Sequence, residues 1–152
     1  MKIIAVNKQA EKLYNIEEKF EAGIALTGTE VKSLREGNVS LKDGYAKIKN
    51  NELYLCNVHI SEYKNGSLTN HNPKRERKLL LHKSEIKRLI GKQQQRGWTI
   101  VPLKIYFKDK WAKVELGLGK GKTKVDIREK LKKDEHRIAI ERAYKKSKLK
   151  NL

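Results

Sequence analysis

One segment near the end of the chain has the residue types of a phosphate-binding loop. Residues 117–123, GLGKGKT, combine glycines and lysines with a threonine hydroxyl and follow a predicted strand. A Walker A loop also needs a glycine at position 116, five residues before the glycine of GKT, and Leu116 stands there. Little apolar sequence follows to supply a second strand with a magnesium-binding carboxylate. The glycines are instead interpreted as the point where the backbone leaves the domain, and Lys120, Lys122 and Lys124 as contacts to a phosphate chain.

The four histidines do not form a recognisable catalytic or metal-binding group. Paired histidines act as acid and base in some ribonucleases, but His59, His71, His82 and His136 fall in different predicted elements, with no carboxylate at fixed spacing. Metal sites use several ligands at short spacing, and Cys56 is the single cysteine. We therefore predict no enzyme activity, no catalytic residue, no metal and no cofactor.

The charge balance predicts a polyanionic partner. The 152 residues carry 36 Lys and Arg against 18 Asp and Glu, a net charge of +18. A surface rich in ion pairs would raise both signs together, so this excess of one sign favours nucleic acid over a merely solvated surface. The charge is densest in residues 119–152, where 13 basic and 5 acidic residues give +8.

Composition also limits the compartment and the assembly. Cys56 lies in the apolar run LYLCNV, which indicates a small core residue in a reducing compartment. The apolar runs fall short of the roughly 20 residues that a transmembrane helix needs, and Met1 to Val6 is too short for a signal peptide. We expect a cytoplasmic monomer with no membrane partner.

Hydrophobic periodicity and turn residues place the elements. The prediction is a helix over 8–14 capped by Asn7, a strand over 20–28, a short helix from Thr29 to Gly37, a hairpin over 45–60 turning at Asn50-Asn51, a long exposed loop over 61–78, a helix from Ser84 to Gly97 that buries Ile86, Leu89 and Ile90, and a second hairpin over 98–118. No strand–helix–strand unit repeats. The pattern is mainly β and predicts a small OB-like β-barrel with two or three short flanking helices over residues 1–118.

Residues 119–152 are predicted to be a separate basic tail. If the tail were helical, Asp126 would cap it with Glu129 at the third position, and Ile127, Leu131 and Ile138 would form a thin apolar stripe. Three apolar residues among so many like charges do not hold a helix against a domain. We expect the tail to be disordered when free and helical on a partner whose phosphates balance its charge.

Long stretches of the chain resemble one bacterial family, the SsrA-binding proteins (SmpB). The resemblance runs through NKQAEKLYNIEEKFEAGIALTGTEVKSLREG (7–37), LKDGYAKIKNNELYLCNVHI, NHNPKRERKLLLH, VPLKIYFKDKWAKVELGLGKGK and DIREKLKK, in order along the chain. It implies an OB-like barrel that binds the tRNA-like domain of transfer-messenger RNA. It also implies delivery of that RNA to stalled ribosomes for trans-translation, with the tail in the decoding centre and the empty mRNA channel of the small ribosomal subunit. Elongation factor Tu and alanyl-tRNA synthetase would be indirect partners through the charged RNA.

The resemblance and the charge pattern together give a set of RNA-binding residues. The family's RNA-binding positions fall on Asn7, Glu21 and Leu80. Charged or aromatic residues beside these motifs complete the set, which is Asn7, Lys8, Tyr14, Glu21, Arg77, Lys78, Leu80, Lys120, Lys122 and Lys124. Glu21 is suited to accept from a base edge or a ribose hydroxyl, and the alternative is that Glu21 and Leu80 only shape the barrel.

The tail is predicted to contact the ribosome through its charged and polar side chains. These are Asp126, Arg128, Lys130, Lys132, Lys133, His136 and Arg137. Ile127 and Val125 replace residues that are usually polar in the family, which leaves Asp126 and Arg128 as the matched pair. A general ribosomal or RNA-chaperone OB protein is the alternative function.

Overall fold

Residues 1–64 and 70–122 are described by the computed structural model of the chain. They contain three helices and nine strands. In chain order these are β1 (Lys2–Val6), α1 (Lys8–Leu13), β2 (Tyr14–Ile24), α2 (Gly28–Arg35), β3 (Val39–Ser40), β4 (Tyr45–Lys49), β5 (Glu52–Cys56), β6 (His59–Ile60), β7 (Arg77–Leu80), α3 (Lys83–Arg96), β8 (Thr99–Lys108) and β9 (Trp111–Gly121). The prediction of a mainly β chain with two or three short helices is confirmed.

Six strands form a closed ring. Their order is β8-β4-β5-β7-β2-β9, and β9 pairs back onto β8. β4 pairs with β8 at Ile100, and β1 pairs with residues 104–107 of the same strand. The ring therefore carries an extra strand and is less regular than a simple barrel. β2 and β9 are the longest strands, at 11 residues each, and their pairing runs from Tyr14↔Gly121 to Gly23↔Lys113. This long ladder fixes which residues of the two strands share the outer face.

Inward-facing residues of every strand in the ring fill one core, and α3 adds Leu89 to it. The fully buried members include Leu34, Leu53, Leu55, Val58, Ile60, Leu79, Leu89, Ile100, Ile105, Val114, Leu116 and Leu118. Ile86 is half-buried and packs against the core, and Ile90 is half-buried, so the prediction that α3 buries three apolar residues is correct for Leu89 alone. Cys56 is a free, buried cysteine, as predicted.

Most turn and cap predictions are confirmed, and two caps are corrected. Asn50 and Asn51 have φ values of 53° and 62°, the left-handed pair that a tight hairpin turn requires. Thr27, not Thr29, caps α2, because its hydroxyl accepts from the Glu30 N–H while the Glu30 carboxylate accepts from the Thr27 N–H. His82, not Ser84, precedes α3, without a side-chain cap.

β9 does not end where the sequence suggested that the backbone leaves the domain. Gly119 is still paired, with Ile16 on one side and Thr99 on the other, and the strand continues to Gly121. An added Cβ at Gly119 would lie 2.1 Å from the Asn15 carbonyl oxygen, at the bulge between Ile16 and Glu18. The glycine is therefore needed for close packing of β2 on β9. The assignment of residues 119–152 as a tail that folds on a partner remains a prediction, and residues 123–152 lie outside the described part.

Replacing Gly119 with alanine is expected to lower the free energy of unfolding by about 1–3 kcal/mol, the usual effect of overpacking a tight site. The reason is that the Asn15 backbone, rather than a flexible side chain, must move. Gly91→Ala in α3 is the matched control, because no atom lies within 4 Å of its added Cβ. That substitution should stabilise the protein by up to about 1 kcal/mol through helix propensity. Urea unfolding measures both, and equal effects would contradict the packing explanation.

Candidate nucleic-acid interface

The four residues of β7 alternate between the core and the surface. Side chains alternate across a strand, so Arg77 and Leu79 are buried whereas Lys78 and Leu80 are exposed. Leu80 leaves 52% of its surface accessible. Lys78 forms a surface ion pair with Glu52 at 3.0 Å, which solvent weakens. Lys78 and Leu80 therefore offer a phosphate contact and an apolar contact on one face.

Glu21 and Leu80 lie in one cleft on the outer face of the ring. β2 pairs with β7 at Gly23↔Leu80, and Glu21 is two residues from Gly23 on the same face. Gly23 has no side chain, and Leu80 leans over it, since an added Cβ would lie 3.2 Å from the Leu80 Cβ. The cleft has a volume of about 380 Å³, and its lining includes Glu21, Gly23, Leu80, His82, Glu85 and Lys113. Two residues that are 59 positions apart in sequence thus share one site.

The Glu21 carboxylate is held by groups from the β8–β9 hairpin. The Tyr106 hydroxyl donates to Glu21 Oε2 at 2.5 Å, and Lys108 Nζ lies 3.6 Å from Oε1. The Tyr106 hydrogen bond is the largest influence on the Glu21 carboxyl and, with Lys108 and Lys113, outweighs desolvation, so the pKa of Glu21 lies below its ordinary value. Burial, followed by this hydrogen bond, raises the pKa of the Tyr106 hydroxyl. Glu21 is therefore an ionised hydrogen-bond acceptor at neutral pH, while Tyr106 remains a donor.

Sequence reasoning did not select Tyr106, Lys108 or Lys113 for this site. The hairpin over 98–118 and a strand over 20–28 were predicted, but the pairing of that strand with the second arm of the hairpin was not. β9 pairs with β2 along Glu21↔Glu115 and Gly23↔Lys113, which brings Lys113 into the cleft, and β8 on the other side of β9 supplies Tyr106 and Lys108 to the Glu21 carboxylate. Lys113 and Tyr106 are themselves opposite each other in the hairpin. The alternation of polar and apolar residues in the hairpin indicates which face Lys113 is on, but it does not indicate which strand lies beside that face.

Arg77 is corrected from a predicted RNA contact to a buried structural cation. Its side chain is 0% exposed, and its Nε donates to Glu30 Oε2. Nη1 donates to the Val58 carbonyl at 2.8 Å and Nη2 to the Pro73 carbonyl at 2.9 Å. Arg75 also donates to Glu30, from Nη2 to Oε1 at 2.6 Å. These bonds join α2, β7 and the segment before β7, so the end of the predicted exposed loop is in fact anchored in the core.

Asn7 also has a structural role, away from the Glu21 cleft. Its Oδ1 accepts from the Ala10 N–H at 3.2 Å and caps α1, while Nδ2 donates to Pro102 O at 2.8 Å and Leu41 O at 3.3 Å. The side chain is buried, so any contribution to RNA binding acts through the position of α1. Its neighbours Lys8 and Tyr14 are exposed and half-buried respectively, and Tyr14 lines a cleft with Asn7.

The remaining predicted residues are at the end of β9 or beyond it. Lys120 is exposed in the strand, opposite Asn15, and Lys122 is the last described residue. Lys124 and the predicted ribosome contacts lie outside the described residues. These are Asp126, Arg128, Lys130, Lys132, Lys133, His136 and Arg137.

The histidines in the described part have no shared site. His71 is buried: its Nε2 lies 2.8 Å from the Ile60 carbonyl, to which it donates, and its Nδ1 lies 2.8 Å from the Thr29 hydroxyl. His59 lies in β6, and His82 lines the Glu21 cleft. Among residues 1–64 and 70–122 there is no cluster of His, Cys, Asp and Glu able to hold a metal, and no helix long and apolar enough to span a membrane.

The family model for the SmpB protein matches residues 4–146, nearly the whole chain. The chain belongs to the SmpB family. The SsrA-binding protein of Shouchella clausii is 56% identical over 144 residues, which cover 95% of this chain and 92% of the relative. The SsrA-binding protein of Carboxydothermus hydrogenoformans is 57% identical over 142 residues, covering 93% and 95%. The resemblance read from the sequence is thereby confirmed.

A solved structure extends the comparison to the fold. It is described as "tmRNA-SmpB: a journey to the center of the bacterial ribosome", and one of its chains is 53% identical to this one. The match covers 79% of this chain and 85% of that chain, with a TM-score of 0.66. The three positions that the SmpB resemblance assigned to RNA binding fall in two places in this fold. Glu21 and Leu80 share the cleft, and Asn7 holds α1.

Proposed function

We propose that this chain binds the tRNA-like domain of transfer-messenger RNA and delivers it to stalled ribosomes for trans-translation. The observation that carries the proposal is family membership over nearly the full length, at 56–57% identity to proteins named as SsrA-binding. The name of the related solved structure, which places tmRNA and SmpB at the ribosome, supports the same function. The protein acts by binding and not by catalysis, and its place of action is the cytoplasm, where ribosomes are.

The Glu21 cleft is proposed as part of the RNA-binding surface. Its exposed apolar side chain, Leu80, its ionised acceptor, Glu21, and the neighbouring lysines, Lys108 and Lys113, supply the three kinds of contact that RNA recognition uses: packing on a base, hydrogen bonds to a base edge or ribose, and charge pairing with phosphate. Lys8, Tyr14, Lys78 and Lys120 remain proposed contacts on the same domain, with Lys122 and Lys124 after it. Arg77 is omitted from this set because it is buried.

The basic tail is proposed to act on the ribosome. In the SmpB resemblance the tail occupies the decoding centre and the empty mRNA channel of the small subunit. Residues 119–152 carry a net charge of +8, which suits a channel lined by ribosomal RNA. Elongation factor Tu and alanyl-tRNA synthetase are proposed as indirect partners, since both act on the charged RNA and not on this chain.

Competition with bulk tRNA tests the proposed partner. We expect bulk tRNA to displace labelled transfer-messenger RNA only at concentrations roughly 10³-fold higher, near the low end of specific-to-non-specific ratios. Glu21→Gln should weaken binding of transfer-messenger RNA by about tenfold, because the acceptor charge is lost. Glu36→Gln, at an exposed carboxylate directly after α2 that accepts from Asn38, is the matched control and should have no effect.

Two results would contradict the proposal. Equal affinity for bulk tRNA and transfer-messenger RNA would instead indicate a general RNA chaperone. Cleavage of labelled RNA above background would indicate an enzyme. In the expected case, affinity falls with salt at a slope of about 0.7–0.9 per phosphate contact.

A further inference from the structure

The Glu21 cleft has features that a phosphate-binding surface does not need. A phosphate site is built from donors and cations, yet this cleft is lined by an anion, Glu21, whose carboxylate accepts a hydrogen bond from a buried tyrosine. Tyr106 is 3% exposed, and its hydroxyl contacts Glu21. A carboxylate held in this way presents Oε1, and the remaining lone pair of Oε2, to the cleft. The group that fits against it must be a hydrogen-bond donor.

We propose that the cleft binds one unstacked guanine, with Glu21 accepting from its N1–H and N2–H₂ groups and Tyr106 acting as the residue that positions Glu21. Guanine is the one natural base with two adjacent donors on its Watson–Crick edge, and a carboxylate has two oxygens to receive them. Leu80 and the bare backbone at Gly23 supply an apolar surface for the flat base. This inference rests on the proposed function and adds to it the class of nucleotide that the cleft reads.

The size and charge of the cleft fit a single nucleotide. About 380 Å³ is at the small end of the ~300–1,000 Å³ range of ligand clefts. The lining carries two carboxylates, Glu21 and Glu85, and one lysine, Lys113, while Lys108 lies 3.6 Å from Glu21 Oε1. The two lysines are the groups available to pair with the phosphates on either side of the base. Sequence-specific RNA recognition commonly uses bases that are splayed out of a helix into such sites.

Tyr106 has a matched counterpart elsewhere in the ring. Tyr54 also donates its hydroxyl to a glutamate, at 3.1 Å to Glu52 Oε2. Glu52, however, is paired with Lys78 at 3.0 Å and does not line the Glu21 cleft. Tyr54→Phe therefore removes the same kind of hydrogen bond without affecting the proposed site, which makes it the control for Tyr106→Phe.

The test titrates the full-length, ¹⁵N-labelled protein with nucleoside monophosphates and follows backbone amide shifts by NMR. Because all the nucleotides carry the same phosphate charge, the lysines contribute equally to each affinity and do not change the ratios between nucleotides. GMP should shift the amides of Glu21, Gly23, Leu80 and Lys113 and bind about tenfold more tightly than AMP, CMP or UMP. IMP, which lacks the N2 amino group, should bind about five- to tenfold more weakly than GMP. The 2′-deoxy form, dGMP, should bind as GMP does.

Three variants separate the positioning of Glu21 from effects on the fold. Glu21→Gln should abolish the preference for GMP, and Tyr106→Phe should reduce it about fivefold while Tyr54→Phe leaves it unchanged. A second measurement, on protein labelled with ¹³C as well as ¹⁵N, is the pH at which the preference is lost, followed together with the ¹³C signal of the Glu21 side-chain carboxyl. The preference for GMP is lost as the pH falls through the pKa of Glu21. Tyr106→Phe should move this loss to higher pH, because the hydrogen bond that lowers the pKa of Glu21 is gone. The other charged or titratable groups around the carboxylate are Lys108, Lys113, Glu115, His82 and Glu85.

Several outcomes would overturn the inference. These are equal binding of the four nucleotides, equal binding of IMP and GMP, or much weaker binding of dGMP, which would indicate recognition of the ribose hydroxyl. An unchanged preference and pH profile in Tyr106→Phe would overturn the positioning role. If transfer-messenger RNA still binds selectively in any of these cases, the proposed function stands and only the guanine site fails. Loss of that selectivity in the unmodified protein would contradict the function itself.

Discussion

Replacing Arg77 with alanine is expected to lower the free energy of unfolding by about 3–5 kcal/mol, the usual result of removing one partner from a buried ion pair. Glu30 would keep its charge in the core with one cation, Arg75, at 2.6 Å and the Thr27 N–H at 2.9 Å. The carbonyl groups of Val58 and Pro73 would lose their guanidinium donors at the same time. Urea unfolding followed by far-ultraviolet circular dichroism measures the change.

The adjacent residue provides the control. Lys78 is also a strand cation paired with a glutamate, but it is exposed, so Lys78→Ala should change stability by no more than about 1 kcal/mol. Arg77→Lys should recover little of the loss, because a lysine does not reproduce the planar fork that reaches three acceptors. Similar stabilities for Arg77→Ala and Lys78→Ala would contradict the structural role assigned to Arg77.

Acid unfolding gives a second measure of the same cluster. Burial raises the pKa of Glu30, but hydrogen bonds from Arg75, Thr27 and Arg77 outweigh it and leave the pKa lower than its ordinary value. A carboxyl whose folded pKa is lowered contributes stability above its unfolded pKa of about 4.3 and loses that contribution as the pH falls through the folded value. Glu30→Gln should therefore remove part of the loss of stability on acidification below about pH 4.

Removing residues 122–152 is expected to stop tagging on stalled ribosomes while leaving the affinity for transfer-messenger RNA within about threefold of the full chain. The cleft with Glu21 and Leu80 lies wholly in the unit Met1–Gly121, so its contacts are retained, and only the proposed phosphate contacts of Lys122 and Lys124 are lost from the RNA-binding set. The proposed ribosome contacts, among them Asp126 and Arg128, are lost. Filter binding measures the first quantity, and a trans-translation assay on ribosomes stalled at the end of a message measures the second.

A variant with residues 122–152 in scrambled order separates charge from sequence. It retains the net charge of the tail, so non-specific attraction to RNA is unchanged. If it also fails to support tagging, the order of the tail residues is required. If truncation instead abolished binding of transfer-messenger RNA, the proposed division between an RNA-binding domain and a ribosome-binding tail would be wrong.

Local sequence signals predicted local structure well where the interactions span few residues. Asn7 caps α1 through a bond to Ala10, three residues away, and the Asn50-Asn51 turn depends on two backbone conformations that asparagine tolerates. Gly97, with φ of 64°, ends α3 as expected. The errors at Thr29 and Ser84 are shifts of two residues. Thr27 is an equally good cap for α2, whereas α3 begins after His82 without any side-chain cap.

The sequence alone determined a basic chain with mainly β elements, a dense cationic end and the motifs of the SmpB family. Tertiary structure decided which of its polar residues are exposed. Arg77 and Lys78 are adjacent basic residues that composition does not distinguish, but Glu30, 47 positions from Arg77, holds one of them in the core. Tyr106 is 85 positions from Glu21 in sequence, and the two residues meet because β9 pairs with β2 on one side and with β8 on the other. Such contacts depend on strand register, which a single sequence does not specify because each strand can pair with several others of similar pattern.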